Sequence, residues 1–199
     1  MHYRHLDREP QVDPTAYVAP DASLCGAVTI GPGARVMHGA RLIAEGGAIT
    51  LGAGVIVLEN AVIRATESHD CCIGNHCLVG PGAHLVGCSV EDDVFLATGA
   101  ALFHGAQVGR GSVVRIHAIV HVNSRLTAGS TVPIGWIAAG DPAELFSPDR
   151  HDDLWAVQST LGFAQTAYGL SQSLDGSMPR VTAVMAERLG HHREDQTIG

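Results

Sequence analysis

The sequence predicts an all-β chain wound into a three-sided prism of about seven coils, followed by an α-helix packed along it. Three observations carry this. Aliphatic residues recur at every sixth position, small residues stand two places before many of them, and glycine often follows the first aliphatic of a coil. With 24 glycines and only 5% aromatic residues, the composition suits short strands and tight corners better than a core of large rings.

The series begins at Val12, Val18 and Leu24 and repeats 18 residues on at Ile30, Val36 and Leu42. It continues through Leu51, Val57, Ile63; Ile73, Val79, Leu85; Val90, Leu96, Leu102; and Val108, Val114, Val120, and closes at Leu126 and Val132. Ala16, Ala22, Ala34, Ala40, Ala61, Ala83, Ala100 and Ala118 form the companion column of small residues. Six residues per side and three sides per coil make a triangular parallel β-helix in which each aliphatic stacks on its counterpart one coil away. Half-buried strands of an ordinary sheet would alternate with period two, and helices would not tolerate so much glycine. The glycines of Ile30-Gly31, Leu51-Gly52, Ile73-Gly74 and Val108-Gly109 are expected to serve as corners of positive φ. Two irregularities stand out. Residues 65–72, ATESHDCC, must bulge from the stack, and the coil from Ile73 to Val90 is 17 residues long, one short.

Residues 1–146 are thus read as the prism. Pro148 and Asp149 suit a helix start, and Leu154, Val157, Leu161, Ala164 and Tyr168 keep helical spacing, which predicts one helix over 149–172 within a 147–172 segment. Residues 173–177 read as a linker, Pro179–Leu189 as a short second helix stopped by Gly190, and 191–199 as a mobile tail whose His191-His192 pair faces solvent.

The formal net charge of −8 argues against nucleic acid as a partner. The chain carries no apolar run long enough for a membrane span and its first residues lack a secretory pattern, so a cytoplasmic location is expected. Cys25, Cys71, Cys72, Cys77 and Cys88 form neither a CxxC pair nor an even framework and read as reduced thiols.

Over roughly residues 10–172 the chain resembles the gamma-class carbonic anhydrases. The resemblance is carried by the entry YVAPDASLCGAVTIG, the bulge before Ile73, the short coil, and the exit Gly140-Asp141-Pro142-Ala143. It implies a left-handed β-helix and a homotrimer with a zinc or iron ion held by three histidines between neighbouring prisms. At the matching positions this chain has Arg64, Pro81 and Val86. Pro and Val offer no lone pair, and a guanidinium stays protonated. The positions matching the family's supporting arginine, aspartate and glutamine are Ile43, Glu45 and Leu58, while Glu59 keeps an acid and Tyr168 matches a helix tyrosine. The expectation is therefore no metal at the inherited site and no cofactor. His84, His104 and His121 are the histidines from which a relocated metal site could be assembled.

The implied cleft between subunits would be lined by Ile43, Glu45, Leu58, Arg64, Pro81, Val86 and His104. Arg64 would favour a carboxylate, enolate or phosphate, with Glu59 or His84 as base and Tyr168 at hand. Three functions stand open: a metal-independent enzyme or binder of a small organic acid or acyl compound, a non-catalytic assembly trimer, and an acyltransferase of the hexapeptide-repeat type with His84 or His104 as its base. The bland alternative for Arg64 is a structural ion pair with Glu59.

Overall fold

The computed structural model describes residues 1–171 and 177–198. Among these, strands of two to five residues stack into three parallel sheets, one per prism side. Val12, Ile30, Leu51, Ile73, Val90, Val108 and Leu126 descend one seven-stranded sheet, and Val18, Val36, Val57, Val79, Leu96, Val114 and Val132 descend the other. Leu24, Leu42, Ile63, Leu85 and Leu102 run down the ten-stranded third. Nearly all of these inward residues are buried, and Ala22, Ala34, Ala40, Ala61, Ala83, Ala100 and Ala118 are fully so. Burying one such aliphatic stabilises the fold by about 1.5–3 kcal/mol, and the column repeats that gain coil by coil.

The glycines do two jobs, and only one was anticipated. Gly31, Gly52 and Gly74 do not adopt positive φ. They are glycines because the next coil's backbone leaves no room: a Cβ on Gly31 would lie 2.7 Å from the Leu51 carbonyl oxygen. Positive φ falls three residues after an inward aliphatic, at a corner position filled by glycine in most places, as at Gly33, Gly54, Gly82 and Gly111, and by Asn60, His76, Asp93, His117 or Asn123 in others.

Both long insertions fall at one corner. The nine-residue step from Leu42 to Leu51 and the ten-residue step from Ile63 to Ile73 lengthen the strands Arg41–Glu45 and Val62–Thr66, which pair over five residues. Alternation points Leu42, Ala44, Ile63 and Ala65 into the core and leaves Ile43, Glu45, Arg64 and Thr66 on the outer surface. The prism therefore gains a ledge on its ten-stranded side.

The C-terminal region departs from expectation. The single helix expected over 149–172 is two: α1, His151–Gln158, and α2, Phe163–Tyr168. Gly162 at φ 66° reverses the chain between them, a conformation that glycine adopts at little cost and that ends helical propagation. The turn lets α2 present Phe163 and Tyr168 to the prism, and Asn123 Nδ2 pins it by donating to the Leu161 carbonyl and Thr166 Oγ1, both at 2.8 Å. The linker expected at 173–177 lies almost wholly outside the described residues. A third helix, α3, spans Met178–Gly190; Gly190 does not stop the chain, which continues as a 3₁₀ turn over His191–Glu194.

The tail expected to be mobile instead returns to the prism. Gln196–Ile198 pairs antiparallel with His2–Arg4, which itself lies parallel to Ser23–Cys25 as an extra rung before the first coil. At the opposite end of the same sheet, Glu144–Phe146 folds back antiparallel on Ile137–Ala139. His192 is not solvated as expected; it stacks on His5 with ring centroids 4.3 Å apart.

Candidate functional site

A cavity of about 480 Å³ lies between the ledge and α2, α3 and the 3₁₀ turn. The prism supplies Glu45, Arg64, His84, Val86, Phe103 and His104; the C-terminal elements supply Phe163, Tyr168, Met185 and Arg188. Strand register explains the gathering. Cys25, Ile43, Arg64 and Val86 occupy one outward column on successive strands, and Val86, though outward, is only 7% exposed because the helices cover it.

Arg64 Nη2 donates to both carboxylate oxygens of Glu45, at 2.6 and 2.7 Å. The ion pair considered for Arg64 thus has Glu45, not Glu59, as its partner. The pair is partly buried, with 28% and 14% of the two side chains exposed, so it is screened less than a surface pair. Arg64 Nε is buried and unpartnered, as are Thr66 Oγ1, His104 Nδ1 and His121 Nδ1. Buried polar atoms of this kind are uncommon and mark places where a ligand or water is wanted. Arg188 has no ion-pair partner among the described residues.

His104 is the most perturbed base in the cavity. Burial, then the charges of His69, Arg64, Arg188 and His84, push its pKa down to about 4, so its ring is neutral at physiological pH. The unfolded chain, with an ordinary value near 6.5, binds more protons between these limits. Stability conferred by the neutral ring is therefore present above about pH 6.5, declines as pH falls through that window, and changes no further below about 4. Replacing His104 by Asn should make the loss of thermal stability between pH 7 and 4 shallower; identical pH profiles for the two proteins would refute the assignment.

The structure separates the residues that sequence reasoning joined. Glu45, Arg64, His84, Val86, His104 and Tyr168 line the cavity, and Ile43 lies in the same column as Arg64. Leu58 and Pro81 line a different groove with Phe95, Ile116 and Ile134, and Glu59 is exposed at the corner beside Leu58. Within one chain Glu59 is no base for the cavity. His84, His104 and His121 are not drawn into one metal-binding cluster among the described residues. Phe103, Phe163, Met185 and Arg188 were missed. The available signal was scarcity: of only 4 phenylalanines, Phe103 and Phe163 face this cavity, with Phe163 and Tyr168 in edge contact at 5.8 Å.

No protein-family profile matches the chain. It is 34% identical over 169 residues, 81% of its length, to a mitochondrial gamma carbonic anhydrase of Arabidopsis thaliana, of which it spans 59%. To a second mitochondrial gamma carbonic anhydrase of the same plant it is 28% identical over 198 residues, covering 96% of this chain and 69% of that one. Among solved structures, a hexapeptide transferase family protein from Anaplasma phagocytophilum shares the fold, with a TM-score of 0.51 at 23% identity over 93% of this chain and 94% of that one. No helix among the described residues is long and apolar enough to cross a membrane. Stacked hexapeptide coils and these sequence relatives together place the chain among the gamma-carbonic-anhydrase-like hexapeptide-repeat proteins.

Proposed function

We propose that this chain acts as a cytoplasmic homotrimer that binds, and turns over without a metal at the inherited position, a small and partly apolar organic acid or acyl compound. The observation that carries this reading is that Arg64, Arg188 and a neutral His104 line one cavity with Val86, Phe103, Phe163 and Met185. An apolar pocket with a few convergent polar groups is the usual form of a small-molecule site.

The donor set speaks against the family's metal. Arg64 is engaged with Glu45 and a guanidinium has no acceptor, Val86 is aliphatic, and Pro81 lies in a separate groove. No step is therefore routed through a metal there, and carbon dioxide hydration is not expected. The remaining groups suit another chemistry. Arg188 can neutralise a carboxylate, Arg64 can donate a further hydrogen bond to it, and the neutral His104 imidazole can accept a proton. Phe103, Phe163, Val86 and Met185 provide the apolar wall. The trimer reading is supported by Phe95, Ile116 and Ile134, which are 43%, 43% and 59% exposed around the second groove. A neighbouring copy would cover them and could carry Leu58, Glu59 and Pro81 toward an adjoining Arg64. The same neutral imidazole also suits acyl transfer, the second reading.

A thermal-shift screen of small carboxylates and acyl-coenzyme A thioesters tests this. A ligand at a hundred times its Kd stabilises by about 2.7 kcal/mol, which raises the Tm by roughly 5–10 °C for a chain of this size. A rise with free acids supports the first reading, and a rise with thioesters alone the second. No rise with any compound, or robust bicarbonate formation by the purified chain, would overturn the proposal and leave an assembly role.

A further inference from the structure

Among the described residues, a cluster of metal-ligating side chains beside the cavity joins distant parts of the chain. His5, Cys25, His192 and Asp195 each offer a ligand atom, and these atoms all lie within 4.8 Å of one another. They come from three segments: the residue after His2–Arg4, the end of Ser23–Cys25, and the 3₁₀ turn with the residue that follows it. His5 Nδ1 lies 2.6 Å from Asp195 Oδ1, His192 Nδ1 lies 2.8 Å from Asp195 Oδ2, and Cys25 Sγ lies 3.5 Å from the same Oδ2. His5 and Cys25 are buried, at 3% and 5% exposure. The cluster is not a surface accident of acidic residues.

We propose that His5, Cys25, His192 and Asp195 form a zinc site that fastens the C-terminal strand to the first rungs of the prism. Two imidazoles, a thiolate and a carboxylate are a donor set suited to tetrahedral zinc. Bonds of about 2.0–2.3 Å require ligand atoms about 3.3–3.8 Å apart. The carboxylate–imidazole distances of 2.6 and 2.8 Å must therefore open by less than about an ångström, with the stacked rings tilting apart. His192 already has its supporting partner: Nε2 lies 3.5 Å from Glu45 Oε1. A carboxylate behind a ligating imidazole fixes its orientation and raises its basicity. The Cys25 thiol gives up its proton to solvent as the cation enters, so binding is tighter at higher pH. The site differs from the inherited one in its residues, and it adjoins the cavity, which His5 and Glu45 also line.

The site would act through the roof of the cavity. Met185, Arg188 and His191 line that cavity, and the cluster closes on His192 and Asp195 directly after them. Zinc bound here favours the docked tail by the ratio of its concentration to its Kd.

Metal-free full-length chain, free of affinity tags, is titrated with zinc and with cobalt. One tight equivalent per chain is expected, with a thiolate-to-cobalt charge-transfer band. Trypsin cleavage at Arg188 and Arg193 should slow about a hundredfold at zinc a hundred times its Kd. Cys25→Ser should abolish the charge-transfer band, and His192→Ala, in a turn the prism does not need, should remove both the tight equivalent and the protease protection. Absence of tight zinc binding, or tight binding and protection that survive in both variants, would overturn the site and leave the four residues as a metal-free hydrogen-bonded latch.

Discussion

Replacing Leu85 by Ala is expected to cost about 3 kcal/mol of folding stability, lowering the Tm by roughly 6–12 °C. Leu85 is fully buried, in register with Ile63 on one side and Leu102 on the other, so its removal opens a void in the middle of the stack. Neighbouring coils cannot collapse into that void without losing their own register, since a hydrogen-bonded rung fixes the position of each side chain along the prism. Ile56→Ala is the control. Ile56 is 37% exposed on the outer surface and should cost well under 1 kcal/mol. Urea unfolding of both variants measures the difference. A Leu85→Ala cost no larger than that of Ile56→Ala would mean that the inner column is not a continuous core.

The second large effect is expected at Arg64. Arg64→Ala leaves the mostly buried Glu45 carboxylate without its two short hydrogen bonds, and should destabilise by about 2–3 kcal/mol. Glu45→Ala should cost a similar amount by stranding the guanidinium. Removing both, as Arg64→Ala with Glu45→Ala, should cost far less than the sum, because no uncompensated charge remains. A double-mutant cycle should give a coupling of about 2 kcal/mol. Any acid found to stabilise the parent chain should lose at least tenfold in affinity in Arg64→Ala, about 1.4 kcal/mol. Additive losses in the cycle would show that the two side chains do not act together. Unchanged ligand affinity would remove Arg64 from the proposed recognition of a carboxylate.

How much of this was legible in the sequence depends on distance along the chain. The prism follows from a local rule: each regular coil meets its neighbour 18 residues away, so Val90, Val108 and Leu126 announce their contacts by spacing alone. The column that unites Ile43, Arg64 and Val86 follows once the two insertions are counted, which stretch its steps to 21 and 22 residues. Phe163, Met185 and Arg188 obey none, because their position depends on the reversal at Gly162 and on the path of the returning tail. The assumption of one continuous helix hid that reversal. His5 and Asp195 are 190 residues apart and carry no periodic signal, so their hydrogen bond was invisible until the chain was folded. Pro81 and Leu58 lie outside the cavity of the single chain for a different reason. The resemblance describes a cleft between copies, whereas register within one chain turns these two toward another side of the prism.

The reversed strands that terminate the ten-stranded side have a consequence for how these molecules behave when crowded. A pile of identical parallel rungs offers its last rung as a template, and another prism could in principle add to it indefinitely. Gln196–Ile198 and Glu144–Phe146 run against the grain at the two ends of that side, so a newcomer meets a strand of the wrong polarity instead of the next step of the ladder. On that side each end is blunted against axial stacking, and growth along the prism axis is the hazard that loss of either strand would increase.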